Sequence, residues 1–421
     1  MKINELGLVI SRFGSWLSVL DSGLPTPYHD VYITPRVKSV IGSVALTRIS
    51  TFADWIDLLE EWRTDIGVDR SLVERFLPGY TFEAKYGELP SHEIAFGDFA
   101  GNRKWDRIID VPDQRMRDAL MSMIVFQGDT EFASNEQQRS LVNNAPSDYD
   151  LGALVRIMAE ETRHGYQMCH LLISHFGSDG KIEAQKLLER RAYDKKNRLL
   201  NAFNNDVTHW LDFFAYTNFM DRDGKFQLTM LSHSGFAPLA QSTLPMLKEE
   251  SFHMGTGLSG LRRIASAGVI PTSIQQKYYN KWISGSLDLF GTDHSSSAQW
   301  AYTWGIKGRV DEDKTSDPVD RERLNERARE QFYLEIGKTV ERVNAVNVGE
   351  KLLVPDMRFN RKIGSHSGKH RAADGRELSA TEWAIYQPTV LPSEADEIVL
   401  ADYFKNPNWI VPKGRLDGDA A

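Results

Sequence analysis

From about Met116 to Gly260 apolar residues return every three or four positions, prolines are few and strong helix formers dominate. This is the pattern of helices that turn one face to a core. The spacing predicts helices over 113–143, 148–176, 180–203, 206–222 and 226–266, the last interrupted near Pro238 and Pro245. Asp148 and Asp150 stand where a helix start favours acids, and Gly177 where a stop favours glycine. A further helix is expected over 321–344. On either side the pattern weakens. Residues 1–90 mix short apolar runs with breakers such as Leu24-Pro-Thr-Pro27 and Leu77-Pro-Gly79 around a helical stretch from Phe52 to Arg63, and read as an N-terminal lobe. Residues 346–421, rich in glycine, proline and charge, read as an irregular cap packed on the rest. The expected division is 1–90, 91–345 and 346–421, a mainly α protein with a helical bundle domain in the middle.

Composition narrows the function. At 421 residues and 41% hydrophobic the chain can bury a sizeable core, and a formal charge of -8 argues against a coat for nucleic acid, which needs clustered Lys and Arg. The single cysteine, Cys169, excludes an intrachain disulfide and any four-cysteine zinc or iron-sulfur site. No window approaches the ~20 apolar residues of a membrane helix, and the first residues, with an early acid, do not read as a signal peptide. A soluble, cytoplasmic protein is expected.

Two Glu-x-x-His pairs, Glu161/His164 and Glu250/His253, change the picture. On a helix this spacing puts a carboxylate and an imidazole on one face, within reach of one metal ion. With 26 Glu and 11 His in the chain, chance supplies roughly one such pair, so the context decides. Glu161 and His164 share their face with Leu154, Ile157, Met158, Met168 and Leu171; Glu250 and His253 line up with Met246, Leu247, Met254 and Gly257. A carboxylate buried there without a partner costs several kcal/mol, so it calls for a counter-charge, either a metal ion or an Arg. The pattern repeats upstream, with Glu131 thirty residues before Glu161 and Asp221 twenty-nine before Glu250. Carboxylate, then Glu-x-x-His, twice over, is the order of a four-helix two-metal site, and four carboxylates with two imidazoles suit two iron or manganese ions. The bland alternative has both Glu-x-x-His carboxylates in solvent, ordinary histidines and accidental spacings. Gln127, one turn before Glu131, is a candidate to orient that ligand, or simply packs.

Other motifs carry less. Asp206-x-x-His209 lacks a repeated partner, and Asp206 reads as a helix cap. Gly255-Thr-Gly257-Leu-Ser-Gly260 spells a dinucleotide fingerprint but follows a helix where a strand is required, so the glycines read as close helix contacts. Asp221-Arg-Asp223-Gly224 begins like a calcium loop and lacks its closing Glu. Cys169 reads as a small core residue. The basic cluster Arg358, Arg361, Lys362, Lys369, His370 and Arg371 suits either the phosphates of a carrier such as coenzyme A or a solvated loop.

The segments Gln127-Gly-Asp-Thr-Glu131, Glu160-Glu-Thr-Arg-His164, Asp221-Arg-Asp-Gly-Lys-Phe226 and Glu249-Glu-Ser-Phe-His253 together resemble the oxygenase components of benzoyl-CoA 2,3-epoxidase, a ferritin-like family of carboxylate-bridged di-iron enzymes. The likeness runs from about Ile94 to the end and includes Glu136-Gln-Gln-Arg139, Leu188-Glu-Arg-Arg191, Arg361-Lys-Ile-Gly364 and Asn408-Trp-Ile410. It implies a ferritin-like four-helix bundle, two iron ions on Glu131, Glu161, His164, Asp221, Glu250 and His253, and dioxygen as co-substrate. It also implies epoxidation or hydroxylation of an aromatic acyl-CoA with electrons from NADPH through a separate flavin and iron-sulfur reductase. Residues 1–90 do not align with that family, the stretch from His253 to Leu287 is shorter and a segment near 310–320 is missing, which leaves the substrate open. The alternatives are arylamine N-oxygenation, another arene or thioester hydroxylation at the same site, and a non-catalytic metal- or carrier-binding protein.

Overall fold

The computed structural model describes residues 49–416 except 69, 192–196, 293–294 and 316–317, so the first 48 residues of the expected N-terminal lobe lie outside the described residues. Within them the chain is mainly α, as the periodicity predicts. In order come α1 (Phe52–Ile66), α2 (Arg70–Phe76), α3 (Gln114–Gln138), α4 (Asp148–His175), α5 (Gly177–Glu189), α6 (Trp210–Ser232), α7 (Ala237–Ala267) and α8 (Thr272–Leu289). Then follow α9 (Ser296–Thr303), α10 (Leu324–Asn344), a two-residue antiparallel ladder of β1 (His370–Arg371) with β2 (Glu377–Leu378), α11 (Ala380–Val390) and α12 (Glu394–Tyr403).

Four long helices make the centre: α3 lies along α4, α6 along α7, and α4 packs on α7. Polar groups fix their ends. Ser147 accepts the Asp150 N–H at 3.1 Å to start α4, and the buried Asp150 carboxylate receives both terminal nitrogens of Arg263, at 2.7 and 3.0 Å, from the far end of α7. Pro245 sits inside α7 without ending it. Its missing N–H leaves the Gln241 carbonyl free, and the Gly87 N–H from outside the bundle takes that carbonyl at 2.9 Å. Only glycine fits there, since a Cβ on Gly87 would lie 2.6 Å from Leu244 Cβ.

Several predicted boundaries move, each for a tertiary reason. The helix expected to reach 203 stops at Glu189, because Arg198 is drawn back, fully buried, to Asp129 at 3.1 Å and Glu136 at 2.7 Å on α3. The helix expected to stop at 222 runs on to Ser232. Gly224 costs it about 1 kcal/mol, but Arg222 and Lys225 both hold Glu335 of α10 across that glycine. The break comes instead at 233–236, where the Gly235 N–H bonds the Gly305 carbonyl at 2.7 Å.

Residues 49–90 contribute to the bundle's own core: Trp55 donates to the Ala184 carbonyl at 3.1 Å and Trp62 to Glu136 Oε1 at 3.2 Å. The cap over 346–416 is more regular than expected. Capping boxes of Ser379 with Glu382 and Ser393 with Asp396 start α11 and α12, helices too short to show a period in sequence. Phe359, Trp383 and Leu391 form a small core there, while Leu400, Trp409 and Ile410 join the main one. In the basic cluster Arg358, Arg361 and Arg371 pair with Asp356, Asp288 and Glu377, so much of its charge is already matched within the chain.

Candidate metal centre

Each central helix brings its predicted residues to one buried spot. Glu131 comes from α3, Glu161 and His164 from α4, Asp221 from α6, and Glu250 and His253 from α7. All six are buried, both histidines completely. One ligand atom from each of Glu161, Asp221, Glu250 and His253 lies within 4.8 Å of the others, and Glu131, Glu161 and His164 form a second such group. Glu161 belongs to both. Glu250 also sits between the halves, with Oε1 3.8 Å from His164 Nδ1 and Oε2 3.5 Å from His253 Nδ1. Two cation positions that share carboxylates is what this arrangement offers.

The histidines are oriented from behind, and crosswise. His164 Nε2 lies 2.8 Å from Glu249 Oε2 on α7, and His253 Nε2 lies 3.0 Å from Glu160 Oε2 on α4. A carboxylate can only accept, so each Nε2 carries a proton and each Nδ1 faces inward, where a metal ion would take the place of a second proton. Glu249 is held in turn by Arg163 and Glu160 by Arg156, the latter at 2.9 Å. Neither Glu160 nor Glu249 is among the residues that the spacing singles out. The doubled Glu in Glu160-Glu161 and Glu249-Glu250 is the signal in the sequence that points to them.

The inward atoms are the ones left without partners. His164 Nδ1, His253 Nδ1, Asp221 Oδ2 and Glu250 Oε2 are buried and make no well-aligned hydrogen bond among the described residues, although His164 Nδ1 lies 3.3 Å from Glu131 Oε2 and His253 Nδ1 3.1 Å from Glu161 Oε1. Buried polar atoms are nearly always satisfied, so four orphans converging on one point mark a place for ligands they can share. Electrostatics agree. Burial, then the neighbouring Glu131, pushes the Glu161 carboxyl up to about 8, and burial with Glu250 and Glu161 pushes Asp221 well above the carboxylate range. Burial opposes a charge on His164, but Glu131 and Glu249 outweigh it and raise the imidazole to about 10. Four carboxylates packed together need positive charge, supplied by protons or by divalent cations. Their oxygens and two imidazoles fit iron or manganese.

A cavity of about 190 Å³ reaches the cluster from one side. Glu131, Glu161, Asp221 and Glu250 line it and neither histidine does, so small molecules approach the carboxylate side. Its walls include Met123, Phe126, Leu200, Phe203, Tyr216 and Met220, with Asp223, Gln227 and Lys307 farther along. Gln127 lines it too and donates from Nε2 to Glu131 Oε1 at 2.6 Å. Tyr216 and Lys307 were missed, since neither shows a pattern in sequence.

The remaining motifs fall elsewhere. Cys169 is buried in the core. Asp206 is exposed and is not the cap; His209 caps α6, accepting the Asp212 N–H at Nδ1 (3.1 Å). Asp221 to Gly224 is continuous helix, with no calcium loop. Gly257 and Gly260 do mark a close helix contact, against Asn218 and Phe214 of α6, while Gly255 faces open space. Among the described residues no helix is long and apolar enough to cross a membrane.

Comparison with known proteins places this geometry. Residues 108–315, which include all six of these carboxylates and histidines, match the family model of the phenylacetic acid catabolic protein. Benzoyl-CoA oxygenase component B of Aromatoleum evansii is 36% identical over 377 residues, covering 77% of this chain and 79% of that protein. One of the subunits of the 1,2-phenylacetyl-CoA epoxidase of Escherichia coli K12 is 22% identical over 202 residues, 47% of this chain and 63% of that one. Identity of that extent with component B, carried on a helical bundle that gathers the carboxylates and histidines in one place, means that the chain belongs to this ferritin-like di-iron family.

Proposed function

We propose that the chain is the oxygenase component of a multi-component enzyme that uses dioxygen to epoxidise or hydroxylate an aromatic acyl-CoA of the benzoyl-CoA type. The observation that carries this is the set of inward atoms on Glu250, Asp221 and the two histidines that make no well-aligned hydrogen bond among the described residues, beside a largely apolar cavity that Glu131, Glu161, Asp221 and Glu250 line. The name of the 36% identical relative supports the substrate class.

Glu131, Glu161, His164, Asp221, Glu250 and His253 would hold two iron ions, or manganese, in the positions the two groups of ligand atoms define. When bound, the metals supply the Lewis acidity and the electrons that dioxygen chemistry requires. The chain does the rest. Glu160 and Glu249 fix the imidazoles through Nε2, and Gln127 fixes the Glu131 carboxylate. Phe126, Phe203, Leu200 and Met123 make an apolar wall for a flat ring and keep water from it. A cavity of roughly 150 Å³ is enough for benzene, so the 190 Å³ here accommodates an aromatic ring with its carbonyl. The one cysteine is buried and the glycine-rich segment is helix, so neither offers an iron-sulfur cluster or a dinucleotide its usual seat. Electrons are then to come from a separate NADPH-dependent flavin and iron-sulfur reductase, in the cytoplasm where coenzyme A thioesters are handled.

Reconstitution with ferrous iron, NADPH, reductase, benzoyl-CoA and isotopically labelled dioxygen, followed by mass spectrometry, tests the reading. One labelled oxygen on the benzoyl ring is expected. Oxygen appearing only on an arylamine or another aryl thioester would reassign the substrate, and bound metal without turnover across such a panel would leave a binding protein. Less than about one metal per chain, unchanged by Glu161→Ala, would remove the site itself.

A further inference from the structure

The cavity that ends at the carboxylates carries one cationic side chain among the described residues, Lys307, which neither the metal ligands nor their supports require. Its ammonium donates to Gln227 Oε1 at 2.7 Å, and Gln227 Nε2 donates to Asp223 Oδ1 at 3.1 Å. An ammonium has three N–H donors; among the described residues only that one is used. Burial lowers its pKa to about 8, with Asp223 opposing, so it remains mostly protonated at neutral pH. Lys307 is half-buried on the cavity wall, so its other two N–H groups can meet a ligand that enters there.

Fixing its loop does not explain Lys307. That segment is already tied to the bundle by backbone bonds, from the Gly235 N–H to the Gly305 carbonyl at 2.7 Å and from the Gly308 N–H to the Met230 carbonyl at 3.0 Å. What the lysine adds is a donor in the wall of the same cavity that the candidate carboxylates line. Gln227, which holds it, follows Asp221 by six residues on α6, about 9 Å along the axis at 1.5 Å per residue. A backbone rise of that order is comparable to a hydrogen bond of about 2.9 Å together with a carbonyl group and an aromatic ring.

We propose that Lys307, presented by Gln227 and Asp223, binds the carbonyl oxygen of the substrate's acyl thioester and thereby sets which ring carbons face the metal ligands. This rests on the aryl acyl-CoA function proposed for the site. Lys307 is a positioning residue in this role: its N–H reaches the thioester oxygen, and regiochemistry follows from where that oxygen is held. The phosphates of the carrier are a poorer occupant, since a single ammonium already bonded to Gln227 and near the Asp223 carboxyl is a weak exchange for their hydration, whereas one neutral carbonyl needs only one donor.

The test compares two ligands on metal-loaded protein by calorimetry: benzoyl-CoA, and S-benzyl-CoA, which has a methylene in place of the carbonyl. Wild type should bind benzoyl-CoA about tenfold to a hundredfold more tightly, as loss of a hydrogen bond to a charged donor predicts. Lys307→Met should erase most of that preference and Lys307→Arg should keep it, with metal content unchanged in both. Equal binding of the two ligands by wild type would overturn the proposal without any variant, as would a Lys307→Met protein that retains the preference. If wild type binds neither ligand, the acyl-CoA reading fails and this proposal with it; if wild type binds and oxygenates benzoyl-CoA without preferring the carbonyl, only the proposal fails.

Discussion

Adding one methyl group to Gly257 should loosen both the fold and the metal centre, whereas the same addition to Gly255 should strengthen the helix and leave the centre alone. A Cβ on Gly257 would stand 2.5 Å from the backbone nitrogen of Asn218, 2.8 Å from the Phe214 carbonyl oxygen and 2.9 Å from Asn218 Cα. All three are backbone atoms of α6, so no rotamer change can clear the space. To restore ordinary contact near 3.4 Å, α6 and α7 must part by about 0.9 Å. Gly257 lies one turn beyond His253 on α7, and Asn218 lies just under one turn before Asp221 on α6, so the separation falls on two ligands of the same cluster. Overpacking of this kind costs about 1–3 kcal/mol, partly offset by about 1 kcal/mol of helix propensity. At Gly255 nothing lies within 4 Å, so Gly255→Ala keeps the propensity gain alone. The two alanine variants should therefore differ by about 1–3 kcal/mol in urea unfolding, with weaker metal binding only in Gly257→Ala. Equal unfolding midpoints and equal metal affinities would refute the idea that helix contact at this glycine sets the spacing of the ligands.

Glu160→Gln and Glu249→Gln should each weaken metal binding about tenfold to a hundredfold in chelator competition, because each replaces the charged acceptor behind one histidine with a neutral, weaker one. Unchanged affinity in both would assign the ligand geometry to the inner residues alone. Arg198→Met should cost about 3–5 kcal/mol in denaturant unfolding by removing the buried guanidinium that Asp129 and Glu136 share, with Arg190 at 3.4 Å left to Asp129; a cost under about 1 kcal/mol would mean the carboxylates protonate or rehydrate freely. Because burial depresses the Lys307 pKa to about 8, its ammonium donates below that pH and loses its charge above it. The groups facing it are Asp223 of α6, with Arg329 of α10 beyond that carboxylate. Affinity for benzoyl-CoA should thus fall as pH rises through about 8, and Lys307→Arg should flatten the profile; a decline that persists in the arginine variant would point to another group.

That these six residues meet at one buried spot was legible because two patterns coincide: charge on an apolar helix face, and a repeat of carboxylate then Glu-x-x-His. The residues that orient them were not. Glu160 and Glu249 sit one position before a ligand, about 100° round the helix, where sequence alone reads a solvated face. Only the crossing of α4 and α7 turns each toward the other's histidine. Boundaries failed where distant ion pairs overrode local preference, as at Arg198, which ends a run of good helix formers, and at Gly224, which helix-to-helix pairing carries through. Lys307 lies in a loop whose place beside α6 depends on backbone bonds from Gly235 and Gly308, and no periodicity reports those.

The crosswise hold on the histidines also bears on how such a site can be inherited or rebuilt. A motif copied alone, with its own ligand pair but facing a helix that lacks the extra acid, would arrive with its imidazole free to turn. The doublets Glu160-Glu161 and Glu249-Glu250 are thus a mutual dependency: each helix supplies the brace for its opposite. In a related sequence that keeps every ligand but has lost one leading Glu, the weakened histidine is to be sought on the other helix, not on the one that changed.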